Sequence, residues 1–261
     1  MRTKEEHMSK SMSMAVESKI EELRACISRI EQHGCGQRES ALLPFGINAI
    51  DGHLVTGGLS TGTLHEVSAG PHPAHDAAMI QFASGILARL PGPVLWCIRR
   101  SDLFAPGLAA VGLDESRVHY AEAPDEKTLL LLMEEGLRHP GLAGVVGEVN
   151  NLSVVASRRL HLAARTSGVT AFVLHRTPRF AKQQKQEPTA AETRWRISAI
   201  PSSPLTVAGI GRARWKVELV RSRDSEPRIW EVEACDEKGY VAVPAELADR
   251  SVEEAAWRVS A

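Results

Sequence analysis

Long hydrophobic runs are missing from this chain. No stretch approaches the roughly 18 consecutive apolar residues of a membrane-crossing helix. The opening MRTKEEHMSKSMSMAVESK carries charges but lacks the apolar centre of an export signal. Together these absences predict a cytoplasmic protein, neither exported nor inserted in a membrane. Paired cysteines are missing too. Cys26, Cys35, Cys97 and Cys235 are scattered with no C-x-x-C spacing, and Cys97 lies inside an apolar run. A reduced chain with a buried thiol at Cys97 is the simplest reading. Nor does either charge sign dominate: 31 Lys and Arg oppose 32 Asp and Glu, a formal net charge of -1. That balance gives no whole-chain sign of nucleic acid or membrane binding, so any basic surface must be local. No internal repeat is visible.

What is present fits one α/β domain with appendages: 261 residues, 43% hydrophobic and 24% charged. In residues 1–40 a tail leads into an amphipathic helix over 16–32. There Ile20, Leu23, Ile27 and Ile30 recur at intervals of three, four and three, with Gly34 as a stop. This stripe docks either on its own domain or on a partner, the former being the commoner outcome. Residues 41–243 form the core. After short apolar pieces and paired glycines comes the strand-like GTLHEVSA, then a helix carrying Met79, Phe82, Ile86 and Leu90, then the buried strand GPVLWCI. The alternation continues with a helix near 104–111, the strand RVHYAEA, a helix over 125–138 and the strand LAGVVGEV. A helix over 152–165, closed by Ser167 and Gly168, precedes the strand VTAFVLH. Strands alternating with helices predict a mostly parallel sheet with right-handed crossovers. A long polar stretch then separates these from RWRISAI, RWKVELVRS and RIWEVEA, which predict an extension of antiparallel strands. Residues 244–261 read as an acidic tail or short helix carrying Trp257.

The segment EVSAGPHPAHDAAMIQFASGIL has the strand, turn and helix grammar of a phosphate-binding loop. In a working G-x-x-x-x-G-K-[ST] loop, backbone N–H groups surround the phosphates, a lysine reaches the outer ones and a hydroxyl holds magnesium. Here Gly70, Pro71, His72, Pro73, Ala74, His75, Asp76 and Ala77 occupy those places. The second glycine has become His75, the lysine Asp76 and the hydroxyl residue Ala77. Pro73 removes an N–H donor as well. A carboxylate there exchanges attraction for repulsion, on the order of 1 kcal/mol or more. Asp76 instead suits the first turn of the following helix, where it meets free N–H groups and the positive dipole end. No nucleotide cofactor is expected. A metal held by His72, His75 and Asp76 is the rival reading, but three ligands in one turn without a distant fourth are a weak signal, and no metal is expected.

The order of these pieces, from about residue 21 to 243, resembles the RecA/RadA recombinase core. More specifically it resembles the ImuA family of RecA-like inducible-mutagenesis proteins, also labelled SulA-like. The leading ELRACISRIEQHG, the phrase LPFGINAIDGHLVTGGLSTGTLHEVSAGP and the closing strands carry the resemblance. It implies a RecA-like α/β fold with a degenerate nucleotide site. Where RecA has a catalytic glutamate, this chain has Ile98, Arg99, Arg100, Ser101 and Asp102. The second acidic motif meets Gly147 and Glu148, and the γ-phosphate sensor meets His175 and Arg176. The connection NNLSVVAS is too short for the first DNA loop of RecA. The resemblance implies a non-catalytic adaptor in damage-induced, error-prone translesion synthesis. Its implied partners are an ImuB-type inactive relative of Y-family polymerases and an error-prone polymerase III alpha-type subunit. RecA, DNA and further copies of the chain are additional candidates, and association with the nucleoid after damage is implied. An ATP-dependent recombination protein and a SulA-like division inhibitor remain as alternatives.

Between Arg176 and Arg228 twelve basic residues face five acids, a local balance of plus seven. Arg176, Arg179, Lys182, Lys185, Arg194, Arg196, Arg212, Arg214 and Lys216 are the candidates for phosphate or acidic-partner contacts. Their alternation with Trp195, Trp215 and Val217 predicts a sheet with one apolar and one basic face. A merely solvated strand face accounts for the same pattern about as well.

Overall fold

In the computed structural model residues 41–176, 188–203, 209 and 211–244 are described. Two short strands, β1 (Leu42–Leu43) and β2 (Leu59–Ser60), pair antiparallel around a one-turn helix, α1 (Asn48–Asp51). The Asp51 carboxylate fixes this entry by accepting from the N–H groups of Phe45 and Gly46 at 2.7 and 2.8 Å. The alternating series follows: β3 (Leu64–Ala69), α2 (His75–Ala88), β4 (Val94–Ile98), α3 (Ala105–Ala109), β5 (Val118–Glu122), α4 (Glu126–Leu137), β6 (Gly144–Val149), α5 (Val154–Ser167) and β7 (Thr170–His175). Local chemistry sets the boundaries. Asp125 and Ser153 cap α4 and α5 by accepting from Thr128 and Ala156, and Gly168 ends α5 in the left-handed region at φ 76°. The expected start at Leu152 moves two residues onward because Ser153 is the cap.

Three further strands, β8 (Thr193–Ile200), β9 (Arg214–Ser222) and β10 (Arg228–Glu233), complete one eight-stranded sheet in the order β10-β9-β8-β3-β7-β6-β4-β5. β8 differs from expectation in direction: it lies parallel to β3, and antiparallel pairing begins only at β9. The stretch between β7 and β8 is long enough to carry the chain back to the start of the sheet, which is what parallel pairing requires.

Each face of the sheet buries its own core. On one side Phe45, Met79, Phe82, Trp96, Phe172, Trp195 and Trp215 pack under α2. Neighbouring rings in this cluster are centred 5.4–6.4 Å apart. On the other side Leu129, Leu132, Met133 and Leu160 of α4 and α5 cover Leu95, Val145 and Val173. Each large apolar side chain buried this way contributes about 1.5–3 kcal/mol. The tryptophans of β8 and β9 therefore belong to the core, with Trp195 and Trp215 almost wholly enclosed. Among the described residues no helix is long and apolar enough to cross a membrane.

Candidate functional site

Open α/β sheets place ligands beyond the carboxyl ends of their strands, and there β3 delivers the turn from Gly70 to Ala74. Gly70 donates to Ile197 O of β8 at 2.8 Å. A Cβ at Gly70 would collide with Ser198 Oγ and with the His75 ring, so only glycine fits. The turn's own donors are engaged internally. His75 N bonds His72 O at 2.9 Å, Asp76 N bonds Pro73 O at 3.2 Å, and Ala74 N bonds His72 Nδ1 at 3.2 Å. Across the gap to β8, the N–H of Ala199 donates to His75 Nδ1 at 2.9 Å. Burial first, with His72 and Lys216 assisting, lowers the His75 pKa, so the ring is neutral. Asp76 stands in the first turn of α2, where the helix dipole favours it. Both histidine Nδ1 atoms are thus acceptors for backbone N–H groups. Among the described residues no group of three or more His, Cys, Asp or Glu side chains converges as a metal site.

Beside the turn, the ends of β4, β6 and β7 are bridged by charge. Arg176 meets Glu148 at 2.8 Å and Asp102 at 2.7 Å. Trp96 Nε1 donates to Glu148 Oε1 at 3.2 Å. Burial pushes the Glu148 pKa up, against the pull of Arg176. For Arg176, burial works against the charge but is outweighed by Glu148, Asp102 and Asp76, so its pKa is raised. A lysine is absent from the loop and an arginine has arrived opposite. That arginine is held by two carboxylates of the protein's own.

A second network lies inside the sheet. Glu66, 1% exposed, is reached by His175 Nε2 at 3.0 Å, by Arg194 Nη2 at 3.3 Å and by the Thr189 hydroxyl. Arg194 is 7% exposed and also donates to Thr189 Oγ1 at 3.0 Å. Burial alone would raise the Glu66 pKa, but His175, Thr189 and Arg194 together hold it below the usual carboxylate range. Glu66 thereby joins β3, the end of β7, β8 and the connection preceding β8.

These placements sort the basic residues expected at a binding surface. Arg194 is withdrawn into the sheet, which corrects its assignment as a partner contact. Arg176 is turned inward onto Glu148. Arg196 and Lys216 share Glu218 at 3.5 and 2.9 Å, Arg214 meets Glu231 at 2.6 Å, and Arg212 meets Glu233 at 3.1 Å. The face expected to be basic is instead a ladder of both signs. Antiparallel pairing sets Glu231 opposite Lys216 and Glu233 opposite Arg214, and both glutamates lie past the stretch in which the charges were counted. Arg179, Lys182 and Lys185 lie outside the described residues, as do Ile20, Leu23, Ile27 and Ile30.

The sequence has relatives that match it over most of its length. Protein ImuA of Caulobacter vibrioides, strain NA1000 / CB15N, is 37% identical over 227 residues, covering 81% of this chain and 92% of the relative. Protein ImuA of strain ATCC 19089 / CIP 103742 / CB 15 matches to the same extent. The chain belongs to the ImuA family. No family model matches it. Among solved structures, the crystal structure of the RadB recombinase superposes with a TM-score of 0.54, covering 77% of this chain and 99% of that one at 16% identity. That likeness establishes a RecA-like recombinase fold for this ImuA-family chain. Sequence reasoning missed Glu66 and Thr189 as organising residues. A charged residue within a strand buried on both faces is the signal that could have drawn attention to Glu66.

Proposed function

We propose that this ImuA-family chain is a non-catalytic RecA-like accessory protein of damage-induced, error-prone translesion synthesis. In this reading it acts as an adaptor between an ImuB-type inactive relative of Y-family polymerases and an error-prone polymerase III alpha-type subunit. The observation that carries the non-catalytic reading is the turn from Gly70 to Asp76. A carboxylate replaces the ammonium group that a triphosphate needs, and the N–H groups of Ala74, His75 and Asp76 are bonded within the turn. The Arg176 ion pairs supply support from the neighbouring strands, because this cation, close enough to interact with Asp76 of the turn, already holds two carboxylates. What survives of the recombinase core is a rigid sheet with surfaces to present to partners.

The test is a titration of full-length protein with magnesium ATP, followed by melting temperature and tryptophan emission. The adaptor reading expects neither to change at millimolar nucleotide. A magnesium-dependent response at micromolar concentration, with hydrolysis lost on altering Gly70 or Asp76, points to an ATP-dependent recombination protein instead. Co-purification from damaged cells tests the partners. Absence of both polymerase relatives removes the adaptor role.

A further inference from the structure

Helix α5 presents a face to solvent unlike the paired charges of the β8 to β10 ladder. Its sequence VVASRRLHLAARTS holds no carboxylate. Val155 and Leu162, 67% and 68% exposed, stand seven residues apart, two turns along one stripe. Arg158 and Arg165 flank that stripe, exposed and with no ion pair among the described residues. Arg159, on the other flank, is tied to Glu134 of α4. The result is an apolar strip with a cationic border.

The chain enters the fold beside this helix. Ala41, the first described residue, accepts from Thr61 N at 2.8 Å and donates to Thr61 Oγ1 at 2.9 Å. The adjoining Gly62 bonds Thr170 Oγ1 at 3.0 Å, and a Cβ on it would stand 3.1 Å from the Cα of Gly168, the C-cap of α5. Thr63 Oγ1 lies 3.3 Å from Nδ1 of His161 on α5 itself. Ala41 is therefore joined, through Thr61 and Gly62, to the C-terminal end of α5.

Within that segment Ile20 and Ile27, and likewise Leu23 and Ile30, repeat the seven-residue interval of Val155 and Leu162. Glu17, Glu21 and Glu31, with Arg24 among them, border one side of that stripe on a helical projection, three acids to one base. Eight residues, 33–40, separate the end of the 16–32 stretch from Ala41. Extended, they span about 26 Å, more than the roughly 21 Å length of α5. We infer that residues 16–32 dock in cis as a helix along α5, with Ile20, Leu23, Ile27 and Ile30 on Val155 and Leu162 and with the glutamates beside Arg158 and Arg165. The apolar seam excludes water, and the charge border selects this segment and its direction. This inference stands independently of the adaptor reading.

Limited trypsin digestion of the full-length chain reads the docking directly, since Lys19, Arg24 and Arg29 lie in the segment. Cleavage there is expected to be slow in the unaltered protein. It should rise about tenfold or more in Leu162→Asp and in the pair Arg158→Glu with Arg165→Glu, as the undocked population grows. Neutralising Glu17, Glu21 and Glu31 to Gln, changes that add no trypsin target, should release the segment on the native helix as well. The α5 substitutions should leave core melting unchanged, because the side chains concerned are exposed in the folded domain. If Leu162→Asp melts the core, the charge variants decide. Rapid cleavage in the unaltered protein, or equal rates in all variants, overturns the proposal. Protection that grows with protein concentration assigns the occupant to a second copy and overturns docking in cis.

Discussion

Arg176 and Glu148 form an ion pair at 2.8 Å across the ends of the neighbouring strands β7 and β6. Their side chains are 19% and 8% exposed, and Asp102 approaches the same guanidinium from a more open position. The geometry explains how a recombinase-like sheet stays compact at the edge where a charged ligand would otherwise sit: cation and anions are both side chains. Removing one member then leaves the other buried and uncompensated.

Arg176→Met is accordingly expected to cost about 3 kcal/mol at neutral pH. Burial already raises the Glu148 pKa with Arg176 present, and loss of the guanidinium raises it further. A carboxylate whose folded pKa exceeds its unfolded one opposes folding while ionised, and that opposition fades as pH falls through the folded pKa. The deficit of the variant should therefore shrink on acidification. Urea midpoints of the two proteins, compared from neutral pH downwards, check this. A pH-independent difference argues against Glu148 as the destabilised group.

Glu66 carries the opposite sign. His175, Thr189 and Arg194 depress its pKa despite burial, so its contribution is present above the unfolded carboxylate value and is lost as pH falls through the folded one. Glu66→Gln is expected to cost about 3–5 kcal/mol at neutral pH, by removing the buried carboxylate charge that Arg194 and His175 face and loosening the connection before β8. The variant should lose less stability than the parent on acidification. Parallel melting curves would show this as converging midpoints at low pH.

His65 supplies a third pH response in a separate window. Its Nε2 donates to Ser60 O at 2.8 Å, and its Nδ1 accepts from the Thr193 hydroxyl at 2.8 Å, which in turn accepts from Trp195 Nε1 at 2.7 Å. That chain of bonds specifies the neutral ring. Burial lowers its pKa from 6.5 to about 4. The stability is complete above the unfolded value of 6.5 and is lost progressively down to about 4, amounting to about 3 kcal/mol. His65→Gln keeps one donor and one acceptor and should flatten the difference across this interval. A parallel pH profile for the two proteins would show that His65 does not titrate on unfolding.

Much of the fold was legible because its local signals agree. The strand at 214–222 and the glycine stop at Gly168 follow from alternation and from backbone freedom at one position. The direction of β8 was not read, although the length of 177–192 permits a crossover to parallel pairing. The candidate site was half legible. Asp76 and Arg176 were visible as residues out of place, but their surroundings were not. Glu66 finds His175 through pairing of β3 with β7, a contact between distant positions that periodicity does not encode. The surface charge was misjudged for the same reason. Arg214 and Lys216 look free until the hairpin sets Glu233 and Glu231 opposite them.

That pairing separates the remaining basic candidates into two classes with different behaviour. Arg214 already has a carboxylate at 2.6 Å, so engaging a phosphate there must first break a pair, and little counterion is released. Arg179, Lys182 and Lys185 occupy a stretch in which Glu187 is the one acid between 177 and 187. If this protein meets DNA, reversing those three to Glu should weaken binding and reduce the slope of log affinity against log salt by about 2 for single strands. Arg214→Glu should leave that slope nearly unchanged, while destabilising the hairpin by about 0.5 kcal/mol through like charges across the strands. Anisotropy titrations of a labelled oligonucleotide at several salt concentrations distinguish the two variants. An unchanged slope in the triple variant, or a larger change in Arg214→Glu, reverses the assignment and returns the strand face as the contact.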